Sequence, residues 1–155
     1  MVPSGPSDPS GPTDSPLADQ LIRLSRRLHR AQRRHLEPLG VTPAQARLLG
    51  VVAHCAEPPR MADLAHRLDV VPRAVTTLVD GLENVQAVRR VPDPANRRVT
   101  RIELTTSGRD LVDLLRRARR EAAEDLLAPL GDAQREQLSA LLAVLDTGRN
   151  TAGRG

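Results

Sequence analysis

Arg73, Thr76 and Thr77 recur at helical spacing, and a dense run of arginines follows them. These are the side chains in this sequence best equipped for chemistry. A guanidinium keeps its charge at every accessible pH and forks onto a phosphate or onto O6 and N7 of guanine. A threonine offers its hydroxyl to phosphate and its methyl to the methyl of thymine. Between Val88 and Leu104, Arg89, Arg90, Arg97, Arg98 and Arg101 face only two acids, Asp93 and Glu103, a net of +3. This is the densest basic segment of the chain. The chemistry it points to is binding to the backbone and grooves of a nucleic acid.

Other chemistries are poorly supplied. His29, His35, His54 and His66 are scattered, and no pair has metal-ligand spacing, so neither a metal, a cofactor nor an enzyme is expected. Cys55 is the single cysteine, which excludes an intramolecular disulfide framework. Beside His54 it offers one alternative, a thiol redox switch that controls association. Phe, Tyr and Trp are absent, which argues against modules that stack bases on rings. All basic residues are arginine, and the net charge is only +4. Without lysine or tyrosine almost nothing titrates between neutrality and arginine, so the pI of 11.0 overstates the basicity. A GC-rich coding bias would also produce all-arginine usage, so the placement of charge, not its sum, carries the argument.

The elements that must position these groups are legible in the apolar spacing. Leu64, Ala65 and Leu68 mark one short helix, and Val70 marks a turn. Val75, Leu78, Val79 and Leu82 mark a second helix at i, i+3, i+4 and i+7, with Pro72 at its first position. The β-branched runs around Pro92–Arg98 read as a hairpin, with Ile102 and Leu104 alternating with Arg101 and Glu103. A helix-turn-helix followed by a basic hairpin is a winged helix, predicted over about residues 43–104. Thr42 and Gln45 form a capping box ahead of it.

The predicted fold class is mainly α with a small β-hairpin wing, flanked by helices over about 16–37 and 106–147. Ser15-Pro16 starts the first helix, and Asp132 is expected to cap the last. Both flanking segments carry more apolar surface than a winged helix needs, including Leu17, Leu21, Leu24, Leu141, Leu142 and Leu145. A two-fold dimer is the commonest use for such surface. Residues 1–15, with prolines at 3, 6, 9 and 12, read as a disordered tail, and 148–155 as a polar tail. No signal peptide or membrane-length apolar run is visible, so a soluble cytoplasmic protein with no membrane partner is expected.

The stretch MADLAHRLDVVPRAVTTLVDGLE followed by RRVPDPANRRVTRIELTTSG resembles the MarR family of bacterial transcription regulators, over roughly residues 16–147. The resemblance implies a homodimeric, ligand-responsive repressor on a pseudo-palindromic stretch of double-stranded DNA. It implies DNA contacts from Arg73, Thr76 and Thr77 in the major groove and from Arg90, Arg97 and Arg98 on the wing. Either Arg97 or Arg98 would enter the minor groove, while Asp93 pairs with the other and holds the tip. It further implies a small-molecule effector pocket, assigned to His35, Arg47, Leu48, Val52, Leu111 and Leu115. A protein–protein adaptor that binds no specific DNA is the remaining alternative. Three departures stand out. Val71 replaces the usual capping Ser or Asp, which predicts a frayed first turn in the recognition helix. Gln86 stands near the position of a helix-closing Gly, where a left-handed backbone is disfavoured for it. Asp69 takes a turn position that often holds Gly, and Asp tolerates that conformation better.

Overall fold

The computed structural model describes residues 15–149; the predicted tail up to residue 14 and the chain beyond Arg149 lie outside these residues. In chain order the elements are α1 (Pro16–Leu36), a 3-10 turn (Glu37–Leu39), α2 (Pro43–His54), α3 (Met61–Leu68) and α4 (Pro72–Asn84). Strands β1 (Val88–Pro92) and β2 (Thr100–Leu104), then α5 (Thr106–Leu127) and α6 (Asp132–Arg149), follow. The two strands pair antiparallel, Val88 opposite Leu104 and Pro92 opposite Thr100. The last helix thus continues through Gly148 and Arg149, where the sequence suggested a polar tail.

With no aromatic side chain available, the core is built from Leu, Val, Ile and Ala. Leu48, Leu49, Leu64, Val75, Val79, Leu82 and Ile102 are sealed from solvent. Helix α2 packs on α3, α4, α5 and β2, so it is the hub of the winged helix. Helix α1 lies along α5, where the buried Ala31 and Ala122 allow close approach.

Local hydrogen bonds set the element ends. The Thr42 hydroxyl accepts from the Gln45 amide at 3.2 Å, and the Gln45 side chain accepts from the Thr42 amide at 2.8 Å, which is the expected capping box. Thr105 caps α5 by accepting from the Gly108 amide at 2.9 Å. Gly108 is glycine for a steric reason: a Cβ there would collide with the Ala87 carbonyl. At α6 the expected cap shifts by one residue. The Gly131 carbonyl accepts from the Arg135 amide, and the Gln134 side chain accepts from the Gly131 amide at 3.0 Å. Asp132 is therefore the first helical residue, placed where its charge suits the helix N-terminus.

Helices α3 and α4 end alike. Asp69 (φ 55°) and Gln86 (φ 56°) both take left-handed backbone. Behind each, the next amide returns to the helix: Val70 N–H to the Ala65 carbonyl at 3.1 Å, and Ala87 N–H to the Leu82 carbonyl at 2.9 Å. This is the Schellman closure, with the buried Ala87 apposed to the buried Leu82. The helix end at Gln86 is thus closed by its own backbone. It is formed normally on a residue that bears the left-handed penalty.

Candidate nucleic-acid interface

Helix α4 is set by burial of Val75, Val79 and Leu82, which turns Arg73, Thr76 and Thr77 to solvent. Both threonine hydroxyls donate to their own helix, Thr76 to the Pro72 carbonyl at 3.3 Å and Thr77 to the Arg73 carbonyl at 3.2 Å. Their protons are therefore engaged, and the oxygen lone pairs and methyls are what they present outward. Val71 occupies the N-cap with no side-chain hydrogen bond, yet the turn is closed by Ala74 N–H to the Val71 carbonyl at 2.9 Å.

On the hairpin the arginines divide into two groups. Arg90, expected at DNA, is instead tied to α4. It bonds Asp80 at 2.6 Å and Glu83, and its backbone amide donates to Glu83 at 3.1 Å. The Asp80 carboxylate, with the charge of Glu83, raises its pKa further. The reason is geometric: Asp80 and Glu83 lie one turn apart on α4 and face β1. Arg89 pairs across the strands with Glu103 at 2.9 Å. Arg101 is drawn inward to Asp93, to Glu57 and to the Pro58 carbonyl. Arg97 and Arg98 at the tip, and Arg73 on α4, are exposed and have no ion-pair partner among the described residues.

Asp93 corrects a second expectation. It does hold the tip, but through Arg101 and Arg60 and not through Arg97 or Arg98. It is 1% exposed, the one buried charged residue among those described. One carboxylate oxygen accepts from the Ala95 amide at 2.8 Å and from Asn96 at 3.3 Å. The other accepts from Arg101 Nε at 2.8 Å and from Arg60 Nε at 3.1 Å. The Ala95 amide first, then the Arg101 guanidinium, bring its pKa from 3.8 to about 2. Arg60 also adds a bridge to Arg101, and the Ile102 amide donates to the Pro59 carbonyl at 2.9 Å. The loop before α3 thus serves as a short third strand beside the wing. Arg60, Glu57, Asp80 and Glu83 are the working residues that sequence reasoning missed. Only the i, i+3 spacing of Asp80 and Glu83 carried any signal.

The six residues expected to line an effector pocket do not meet within one chain. Leu48, Val52 and Leu115 are in the core, with Leu111 packed at its edge. Arg47 donates to the Leu68 carbonyl at 3.0 Å and fastens α2 to α3. His35 reaches α5, 3.2 Å from Asp125 and 3.7 Å from Glu121. The cleft between α1 and α5, about 220 Å³, is lined by Arg27, Arg30, Arg34, Ala31, Ala122 and Leu126 among others, and contains none of the six. Cys55 is half-buried and its thiol donates to the Val51 carbonyl at 3.2 Å.

A three-helix core carrying a helix-turn-helix and a pinned hairpin defines the winged helix-turn-helix class. The sequence model of the MarR family matches residues 41–100. The HTH-type transcriptional regulator YhbI of Bacillus subtilis is 31% identical over 61% of this chain and 64% of YhbI. The HTH-type transcriptional repressor MdtR of the same organism is 34% identical over 47% of this chain and 46% of MdtR. These matches span less than two thirds of either relative. A structure of an S. aureus MepR mutant bound to an oligodeoxyribonucleotide has a TM-score of 0.68 and 26% identity, covering 87% of this chain and 99% of that one. Over its winged helix the chain is therefore similar to the MarR family and to HTH-type transcriptional regulators. Its curated relatives are transcriptional regulators and not enzymes.

Proposed function

We propose that this protein is a homodimeric, sequence-specific DNA-binding transcriptional regulator, a repressor relieved by a small molecule. The observation that carries the DNA reading is the division of the arginines. Every other hairpin arginine is neutralised within the chain, while Arg73, Arg97 and Arg98 stay free on the two elements that a winged helix turns to DNA. Arg73 takes a guanine edge, Thr76 and Thr77 touch phosphate or a thymine methyl, and one of Arg97 and Arg98 enters the minor groove. Arg90 and Asp93 act by holding the wing. MdtR's description as a repressor and the DNA-bound MepR mutant support the reading by analogy.

Dimerisation is supported by the exposed Leu17, Leu21 and Leu24 of α1 and the exposed Leu141, Leu142 and Leu145 of α6. Two copies related by a two-fold axis would place their α4 helices in half-sites about one helical turn apart. Effector response rests on the family resemblance; a small molecule would shift the population between DNA-competent and incompetent spacings. Among the described residues no helix is long and apolar enough to cross a membrane, which is consistent with action on DNA in the cytoplasm.

The test is a titration against duplexes from beside its own coding region. A shift stronger than with random duplex is expected at physiological salt. The Arg97→Ala, Arg98→Ala double variant should weaken binding and reduce the slope of log affinity against log salt by about 0.9 for each phosphate no longer neutralised. No preference over random duplex would refute sequence-specific binding, and an unchanged slope would refute the wing assignment.

A further inference from the structure

Val71 breaks two local rules at once. It stands at the N-cap of α4, where a Ser, Thr, Asp or Asn side chain would satisfy an open helix amide, and it supplies no such bond. It also packs against nothing that hides it, being 67% exposed. The other exposed large hydrophobic side chains among the described residues lie on α1, α5 and α6, save Val85 beyond the far end of α4. Residues that violate local preference without a packing return mark functional positions.

The position gives that function a direction. In a helix-turn-helix, the N-terminal residues of the second helix touch base edges. In the major groove the thymine C5-methyl is the apolar group a base pair displays. Arg73 lies two residues on and is free to take a polar edge, while the hydroxyl protons of Thr76 and Thr77 are engaged inside the helix. The branched methyls of Val71, beside the exposed Pro72 ring, are the apolar groups that precede Arg73 at this end of α4, a turn ahead of the methyls of Thr76 and Thr77.

We infer that Val71 is a specificity residue that reads a thymine methyl beside the base taken by Arg73. The inference rests on the DNA-binding function proposed above. The chain gives up a helix cap, and the group that replaces it recognises one base.

The experiment uses the full chain and duplexes that it enriches from a randomised pool, with uracil put in place of thymine one position at a time. Uracil differs by the methyl alone. The unaltered protein should bind about fourfold more weakly when one particular thymine per half-site is replaced, as expected for burying one methyl. Val71→Ser should bind the thymine and uracil duplexes equally, with a melting temperature no lower than that of the unaltered protein. Val71→Ala should remove the discrimination as well, which separates the absence of the branched methyls from a new serine hydrogen bond. The ratio is taken within each protein, so a general change in helix stability cancels. A Val71→Ser protein that keeps the fourfold ratio overturns the inference, as does an unaltered protein indifferent to every replacement. Failure to enrich any duplex would instead defeat the DNA-binding reading itself, and this inference with it.

Discussion

The wing and the terminal helices use the same residue types in opposite ways. In the hairpin, Arg89, Arg90 and Arg101 each have a carboxylate partner, and the strands bury one side chain completely, that of Ile102. In α1, Arg23, Arg26, Arg27, Arg30, Arg33 and Arg34 have no ion-pair partner among the described residues, and Leu17, Leu21, Ile22 and Leu24 are exposed. A two-stranded ribbon is too small to hold itself by apolar burial. This one is held by a sealed carboxylate with two guanidinium groups and two backbone amides on it. Long amphipathic helices have the reverse problem. Leu17, Leu21 and Leu24 of α1 and Leu141, Leu142 and Leu145 of α6 are left exposed among the described residues, the surface that the proposed second copy would cover. One region is closed by its own side chains, and the other leaves an apolar face open.

The largest effect should come from the open face. Leu141→Glu with Leu145→Glu removes apolar side chains worth about 1.5–3 kcal/mol each when buried, and a two-fold axis repeats the loss. Self-association, read by sedimentation, should weaken on the order of a thousandfold or more, with the helical signal of the body retained. A dimer of unchanged affinity would move the interface elsewhere.

The next test strikes the wing. Asp93→Ala leaves Arg101 and Arg60 without their shared carboxylate and the Ala95 and Asn96 amides without an acceptor. Melting temperature should fall, and hydrogen exchange at Asn96 and Val99 should quicken while α1 and α5 stay protected. Equal quickening in all these segments would mean that the wing is not an independent unit. The same carboxylate predicts an acid limb. Its folded pKa of about 2 lies below its ordinary 3.8, so its stabilisation is complete above about pH 4 and is lost as pH falls towards 2. Asp93→Asn should flatten the stability curve across that window alone. An unaltered curve would show that the carboxylate's charge contributes nothing there. The smallest effect concerns the α4 exit. Gln86→Gly relieves a left-handed residue and should raise stability by about 1 kcal/mol, with DNA affinity unchanged. A fall in stability would show that the Gln86 side chain is needed where it stands.

Much of this was legible in the sequence because it is local. The apolar spacing of Val75, Val79 and Leu82, Pro72 at a helix start, the Thr42–Gln45 box and the left-handed Gln86 all depend on neighbours within a few residues. The partners of the arginines are not local. Arg90 and Arg97 look alike as text, yet one is 2.6 Å from Asp80 and the other is free. Asp93 finds Arg60, 33 residues away, because the loop before α3 runs beside β2, and no spacing rule encodes that approach. The six residues assigned to a pocket are spread through one chain for a related reason. Alternation along a helix shows that Leu48 and Val52 are apolar, but not whether the space they face is a cavity or the core.

The ties from Arg90 to α4 and from Arg101 to the Glu57–Arg60 loop have a mechanical consequence. Hairpin and recognition helix are clamped from two sides, so they behave as a single stiff jaw. Such a jaw has little freedom to flex around an ill-fitting groove. In the proposed dimer, a change of grip would therefore come from the angle at which two such jaws face one another.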